Sequence, residues 1–169
     1  MLGINLGVNA VSVVCAARAT QHRRGWAAKV IDTSAIVARW LRDDSDLMDS
    51  VGGRIYADEI PTDVQYPCVV ARTMDATPVV RGIPGWHEYT VQIDVIGQEN
   101  GQVETLGVAT AVSELVLGIP SDNNATIATS DVIQVVSLPD DSISPAHPRW
   151  VLSVAITGRS AATNEGEAS

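Results

Sequence analysis

Phenylalanine is absent from this 169-residue chain, and Trp and Tyr together make up only 4% of it. Hydrophobic residues nevertheless reach 46%, so Val, Ile, Leu and Ala must supply most of the buried volume. This composition predicts a globular protein with an aliphatic core. The length is enough for one domain with a substantial core and too short for two domains of ordinary size.

Cysteine is also scarce. Cys15 and Cys68 lie in unlike contexts, and the chain has no CxxC pair. This number and spacing gives little support to a disulfide framework or a cysteine zinc site. Cys68 belongs to the apolar run Pro67–Val70, which favours a small buried thiol over a reactive one.

Motifs for catalysis are missing as well. The sequence has no nucleophile elbow, zinc-protease helix, Walker loop or dinucleotide-binding glycine pattern. None of the three histidines has a cysteine or a second histidine at ligand spacing: they are His22, His87 and His147. We therefore predict no metal, no cofactor and no enzymatic activity.

Two weaker catalytic hypotheses remain open. Asp140 and Asp141 with His147 could bind a cation or orient a base, although adjacent carboxylates in a Ser/Pro-rich loop are typical of a solvated surface. Alternatively, the chain is a small enzyme whose groups converge only after folding. The candidates for that second hypothesis are His87, Glu88 and Asp94.

Positive charge is confined mainly to the start of the chain. The net charge is −9, yet residues 1–29 hold four bases and no acid, so the remaining residues carry 7 bases against 20 acids, or −13. An acidic domain repels phosphate, which argues against sequence-specific binding of nucleic acid. The same charge suits a surface past which DNA slides without sticking.

The N-terminal segment differs from the rest. Leu2–Ala17 is uncharged and fairly apolar, but it is shorter than the roughly 20 residues that span a membrane, and its basic cluster follows the apolar run. We therefore predict no membrane association. Residues 1–30 are interpreted as an extension outside the domain, either a start codon placed too early, with the biological start near Val30, or a docking arm. The domain is predicted at 31–159 and a disordered polar tail at 160–169.

Hydrophobic periodicity predicts the elements of the domain. An amphipathic helix over Ala35–Leu41 is capped by Asp32, Thr33 or Ser34, and a second helix over Glu99–Leu117 is apolar around much of its circumference. That breadth indicates a helix covered on more than one side, by the sheet and either a neighbouring subunit or its own domain. Strands are predicted at Arg54–Tyr56, Cys68–Thr73, Trp86–Val95, Val132–Val136 and Trp150–Thr157, with polar loops at Ser121–Ser130 and Pro139–Pro148.

Helices and strands come in blocks, which favours an α+β fold over a doubly wound one. We predict a mostly antiparallel sheet with the two main helices packed on one face. Gly and Pro residues between Pro78 and Gly85 interrupt the strand pattern and predict the tip of a long β-hairpin.

Five residues are candidates for subunit or partner contacts. Ile83 and Trp86 are large apolar groups in the Arg81–Trp86 tip, so Arg81, Ile83 and Trp86 are predicted to touch a partner unless Trp86 folds inward. Arg54 and Arg72 lie near strand ends in an acid-rich domain, where arginine pairs with carboxylates. For these two, an internal or intersubunit salt bridge is the favoured interpretation.

Several local patterns are similar to those of a known family. They are the turn Val51–Tyr56, the strand opening Tyr66–Val70, the alternating strand Tyr89–Val95 and the closing strand after Arg149-Trp150. Together they resemble the phage tail terminator, or tail completion, family over Ile31–Arg159. The second helix carries less charge here than is usual in that family, and the first 29 residues have no counterpart.

The resemblance implies a virion protein that assembles in the host cytoplasm. In this family a homohexameric ring caps the head-proximal end of the tail tube, stops its polymerisation and offers a docking face to the head connector. The implied partners are other copies of the chain, the major tail tube protein and a head-closure or neck protein, while genomic DNA passes through the lumen unbound. The alternative within the same setting is a neck or head-closure protein.

Overall fold

The computed structural model describes residues 30–79, 85–122, 125–139 and 146–160. These residues form three helices: α1 (Thr33–Arg42), α2 (Ser45–Val51) and α3 (Gln102–Val116). They also form five strands: β1 (Ile55–Ala57), β2 (Cys68–Pro78), β3 (His87–Ile96), β4 (Ala125–Ser137) and β5 (Arg149–Ser160). None of these helices is long and apolar enough to cross a membrane.

The strands build one sheet in the order β1-β2-β3-β5-β4. The three-residue β1 runs parallel to β2, and the other neighbouring pairs are antiparallel. The predicted α+β class and mostly antiparallel sheet are therefore confirmed. β1 and β4 lie at the two edges of this sheet.

Both N-terminal helices begin at aspartate caps. Asp32 accepts a hydrogen bond from the Ala35 amide (3.0 Å), and Asp44 accepts one from the Leu47 amide (2.8 Å). Helix α2 was not predicted, because its acidic residues mask the short apolar pattern of Leu47 and Val51. It ends at Gly52, whose φ of 56° is readily available to glycine.

One main core lies between the helices and one face of the sheet. It combines residues of all three helices with alternate residues of the strands, as the period of two requires. The helices contribute Ile36, Val37, Ala38, Leu41, Leu47, Val51, Val108, Ala109, Val112 and Val116, and the three long strands nearest the centre contribute Val69, Ala71, Tyr89, Val91, Ile93, Val95, Leu152, Val154 and Ile156. Apart from Tyr89, these residues are aliphatic, as the composition predicted.

A smaller core lies on the opposite face of the sheet, at the β1 side. Cys68, Val70 and Ile96 are buried there beneath the segment that links β1 to β2. Tyr56, Ile60, Val64 and Tyr66 pack against them. Cys68 is thus a buried thiol, as the sequence predicted, and burial raises its pKa to about 11.

Two boundaries predicted from the sequence are wrong. Ser121–Ser130 was expected to be a polar loop, but β4 begins at Ala125 and runs for 13 residues. Thr126, Ile127 and Thr129 are β-branched residues compatible with a strand, and pairing with β5 carries the strand through the polar residues around them. Strand β2 also runs five residues past its predicted end at Thr73, to Pro78; most of the predicted tip, residues 80–84, lies outside the described part of the chain.

Candidate assembly surfaces

Strand β4 presents a long open edge. It pairs with β5 on one side, and none of the described strands pairs with its other side. The Leu138 amide donates to the Arg149 carbonyl (2.9 Å), so at this end of β4 the backbone groups of Leu138 and Val136 point toward β5. The backbone groups of Val135 and Ser137 therefore point outward, away from β5. A row of such groups is a template for an additional strand.

Apolar side chains flank this open edge. Ile133 is 62% exposed and Val135 is 44% exposed, and Val135 lies opposite Leu152 on the helix-facing side of the sheet. Next to it, Val103 and Leu106 of helix α3 are 80% and 45% exposed. These two residues, with Ser137, Pro139 and Trp150, line a groove of about 420 Å³, called here the α3–β4 groove.

The groove refines the prediction for the second helix. That helix was expected to be apolar around much of its circumference, and Val108 and Val112 do face the core while Val103 and Leu106 face outward. An exposed apolar surface of this kind beside an open strand is typical of a binding site for another polypeptide. Sequence patterns alone did not identify it, because the position of β4 at the sheet edge depends on strand order.

The opposite edge of the sheet is closed. Strand β1 has only three residues, and the Arg42 guanidinium donates to the Ile55 carbonyl through Nε (3.0 Å) and Nη2. The Asp58 amide donates to the Ala71 carbonyl of β2 (2.8 Å), which ends the parallel pairing. Short length and a charged side chain on the outer carbonyl both discourage strand addition.

Arg72 takes part in an internal ion cluster. Its guanidinium pairs with Asp94, whose side chain is only 1% exposed, and Arg149 Nη2 approaches the other carboxylate oxygen at 2.8 Å. Gln92 Nε2 also donates to this carboxylate. The cluster ties β2, β3 and β5 together on the sheet face opposite the helices, and the salt bridge favoured for Arg72 is internal.

The other predicted contact residues are dispersed. Arg54 Nε donates to the Pro67 carbonyl (2.9 Å), so its internal partner is a backbone oxygen. Half-buried Trp86 lies 5.1 Å beneath the Arg159 guanidinium carbon, in a cation–π contact. Arg81 and Ile83 lie outside the described residues. A contact of any of these groups with a partner stays a prediction.

The residues considered for catalysis do not form a common site. His87 Nδ1 lies 3.2 Å from the Gly85 carbonyl, and Asp94 is engaged in the ion cluster. His147 contacts the Gly97 carbonyl and the Tyr66 ring, while Asp140 and Asp141 lie outside the described residues. The described residues contain no cluster of three or more metal-ligating side chains.

Two clefts lie beside helix α3. One is lined by residues at the start of the helix, including Gln98, Asn100 and Thr105, and the other is the α3–β4 groove. His147 lines the α3–β4 groove, whereas neither cleft is lined by His87, Glu88 or Asp94. The geometry therefore points to an assembly surface at β4 and α3.

Comparison with solved structures finds 28 similar chains. One of them is a chain of "Virion of native gene transfer agent (GTA) particle", with a TM-score of 0.66 and 18% sequence identity. The match covers 75% of this chain and 93% of that chain, so the two share a fold over nearly the whole of the matched structure. Curated protein sequences include no match.

Comparison with protein-family models identifies the family. The model described as "Tail completion protein gp17" matches residues 35–157, which includes all but the first two residues of α1 and all but the last three of β5. The resemblance inferred from the turn and strand patterns is thereby confirmed. The chain belongs to the tail completion protein family and is a structural protein of the phage tail, not an enzyme.

Proposed function

We propose that this protein forms a ring of identical subunits that caps the head-proximal end of the tail tube. The ring ends polymerisation of the major tail tube protein and joins the tail to a head-closure or neck protein. Six subunits are expected from the family resemblance, with assembly in the host cytoplasm and a final location in the virion. The similarity of the fold to a chain of a gene transfer agent virion supports this setting.

The observation that carries the proposal is the open edge of β4 beside the α3–β4 groove in a member of the tail completion family. A closed ring requires heterologous contacts, in which one surface of a subunit meets a different surface of the next. One open edge and one closed edge give the subunit this polarity. Tail completion also requires that growth stop, and a closed ring leaves no repeating contact free in its own plane.

The charge of the domain supports a DNA-conducting lumen. Residues 30–169 carry a net charge of −13. Attractive contacts would multiply along a duplex and retard its passage, whereas an acidic wall repels phosphate. DNA is therefore proposed to pass through the ring without specific binding. Arg81, Ile83 and Trp86 of the hairpin tip, with Arg54 and Arg72, remain proposed contacts to a neighbour or to the tube.

The proposal is tested with the purified full-length chain. Native mass spectrometry is expected to give one closed oligomer, and electron microscopy is expected to show shorter tubes when the protein is added to polymerising tail tube protein. Serum albumin at equal mass concentration serves as the control for crowding. A protein that stays monomeric and leaves tube length unchanged contradicts the proposal. A protein that binds only the connector supports the neck or head-closure alternative.

A further inference from the structure

We infer that the open edge of β4 is filled by the N-terminal segment Leu2–Val8 of a neighbouring copy, which adds to the sheet as a sixth strand. The inference rests on the proposed ring and names one contact between its subunits, which the family match does not include because it begins at residue 35. Five observations support it: the residue pattern of the segment, its match to the groove, the point at which the described chain begins, the number of residues available, and the charge of the two parts.

The first residues of the chain alternate strictly. Leu2, Ile4, Leu6 and Val8 occupy even positions, and Gly3, Asn5, Gly7 and Asn9 occupy the odd positions between and after them. A period of two places the aliphatic residues on one face of an extended strand and the small or polar residues on the other. Such a strand needs one apolar surface and one open surface.

Strand β4 offers this pair of surfaces. On its helix-facing side lie Val135 and the α3–β4 groove, with exposed Val103 and Leu106. On its other side the sheet carries polar residues such as Gln134 and Asp131, and none of the described helices covers that face here. An added strand would place its aliphatic residues over the groove and its Gly and Asn residues on the open face.

The described chain begins beside β4. The Ile31 amide donates to the Tyr89 hydroxyl (3.3 Å), and the side chains of Ile31 and Ile127 both lie over Gly158. Ile127 belongs to β4, so the segment before Val30 leaves the domain near this strand. The 21 residues between Val8 and Val30 can span at most about 70 Å when extended, which is enough to reach another subunit.

The length of this connection favours a neighbouring copy over the same copy. Val135 lies eight residues beyond Ile127 on β4, or about 26 Å along the strand, so a segment paired with its own copy would need only a short return, whereas 21 residues are enough to reach a neighbour. In a ring, each subunit supplies one segment and one open edge. All edges are then filled when the ring closes, and none is left for further addition.

Charge supports the same arrangement. Arg18, Arg23, Arg24 and Lys29 lie between the proposed strand and the domain, in a segment without acids. The rest of the chain carries −13, so this basic connection is attracted to the surface of an adjacent subunit. The attraction also opposes the repulsion between acidic domains that a ring brings together.

A crosslinking experiment with full-length chains tests the contact directly. One chain carries Leu6→Cys and the other carries Val135→Cys with a mass tag, both in a Cys15→Ser background, while buried Cys68 stays unreactive. After mixing, a short bifunctional thiol reagent is expected to join the tagged and untagged chains. Thr77→Cys, exposed on β2, replaces Val135→Cys as the control and should link far less. Equal linking to both positions overturns the inference.

A matched pair of full-length variants tests the face of the strand. Ile4→Asp with Leu6→Asp puts two charges on the aliphatic side, and Asn5→Asp with Asn9→Asp puts two charges on the other side. The first pair is expected to raise the concentration needed for ring formation about a hundredfold, because two aliphatic side chains lose their burial. The second pair should leave it within about threefold, since its residues face solvent.

Amide hydrogen exchange gives a readout that needs no change in β4. The outward amides of Val135 and Ser137 should be protected in assembled parent protein and should exchange rapidly in the Ile4→Asp/Leu6→Asp variant. If that variant forms rings like the parent, with the same protection, the inference is wrong and the proposed ring stands. If the parent forms no ring and caps no tube, the proposed function itself fails.

Discussion

At one edge of the sheet, β1 spans three residues and its Ile55 carbonyl is occupied by the Arg42 guanidinium, whereas at the other edge β4 spans 13 residues and none of the described strands pairs with its outer side. Soluble proteins commonly shield sheet edges against unwanted pairing. A chain that shields only one edge has left the other available. For the ring of identical subunits that we propose, this difference would supply the required direction.

The two sides of the sheet also differ in how they are packed. Near β1, both faces are covered: one by the main core and the other by the small cluster around Cys68 and Val70. Near β4, the helix-facing side ends in the exposed α3–β4 groove, and the opposite face carries no described helix. The β1 side is therefore complete within one chain. Within the described residues the β4 side is left open, and this is where the proposed partner binds.

The largest expected effect comes from the ion cluster that holds the middle of the sheet. Asp94→Ala removes a carboxylate that is 1% exposed and leaves Arg72 and Arg149 without it, although their side chains, 31% and 28% exposed, can be partly rehydrated. We expect the free energy of unfolding in urea to fall by about 3 kcal/mol, at the low end for a broken buried ion pair.

Glu88→Ala is the matched control for this change. Glu88 lies on the same strand and the same face as Asp94 but is exposed, so its removal should cost less than about 0.5 kcal/mol. Similar losses in the two variants would mean that the cluster contributes nothing beyond surface charge. The ion cluster would then not hold the middle of the sheet rigid between the two edges.

The second prediction concerns the closed packing of the β1 side. Burial raises the pKa of the Cys68 thiol from 9.0 to about 11, and the nearby Arg54 guanidinium offsets only part of this shift. The folded chain therefore keeps its thiol proton at a pH where the unfolded chain loses it. The resulting stability is fully present below pH 9 and is lost as the pH rises through 11.

As the pH rises over that range, the unfolding free energy of the parent is expected to fall by about 2 kcal/mol relative to that of Cys68→Ala. Both proteins carry Cys15→Ser, so that the other groups titrating at high pH cancel in the comparison. Urea titrations at pH 8, 9, 10 and 11 measure it. A constant difference across the series would mean that water reaches Cys68 and that the β1 side is not closed.

Local patterns in the sequence predicted one part of this molecule well. Helix α1 follows from an aspartate cap and an apolar stripe, and β3 follows from alternation between His87 and Val95, so both are determined by residues close in sequence. The turn at Gly52-Gly53 requires two successive positive φ values, which glycine adopts readily. That turn is part of the pattern that led to the family.

The candidate site could not be predicted in the same way. The alternation at the start of β4 is interrupted by small and polar residues, so the sequence did not mark it as a strand, and the open edge exists only because β4 comes last in the strand order. Arg149 meets Asp94 across 55 residues of sequence. Such contacts depend on register between distant strands, which no local pattern in a single sequence specifies.

The smallest effect, and the one that bears most directly on the two edges, is expected from Arg42→Met. The methionine keeps much of the aliphatic length but removes both hydrogen bonds to the Ile55 carbonyl, so the unfolding free energy should fall by about 1 kcal/mol. Arg39→Met is the control, because the Arg39 side chain is 53% exposed and its ion pair with Asp122 is expected to contribute less than about 0.5 kcal/mol.

Analytical ultracentrifugation then separates the two reasons why the β1 edge is closed. A three-residue strand offers few outward backbone groups, so Arg42→Met should lose stability without gaining a new oligomer beyond that of the parent. If the variant instead associates further as its concentration rises, the guanidinium alone was keeping this edge shut. The contrast with β4 would then depend on a single side chain and not on strand length.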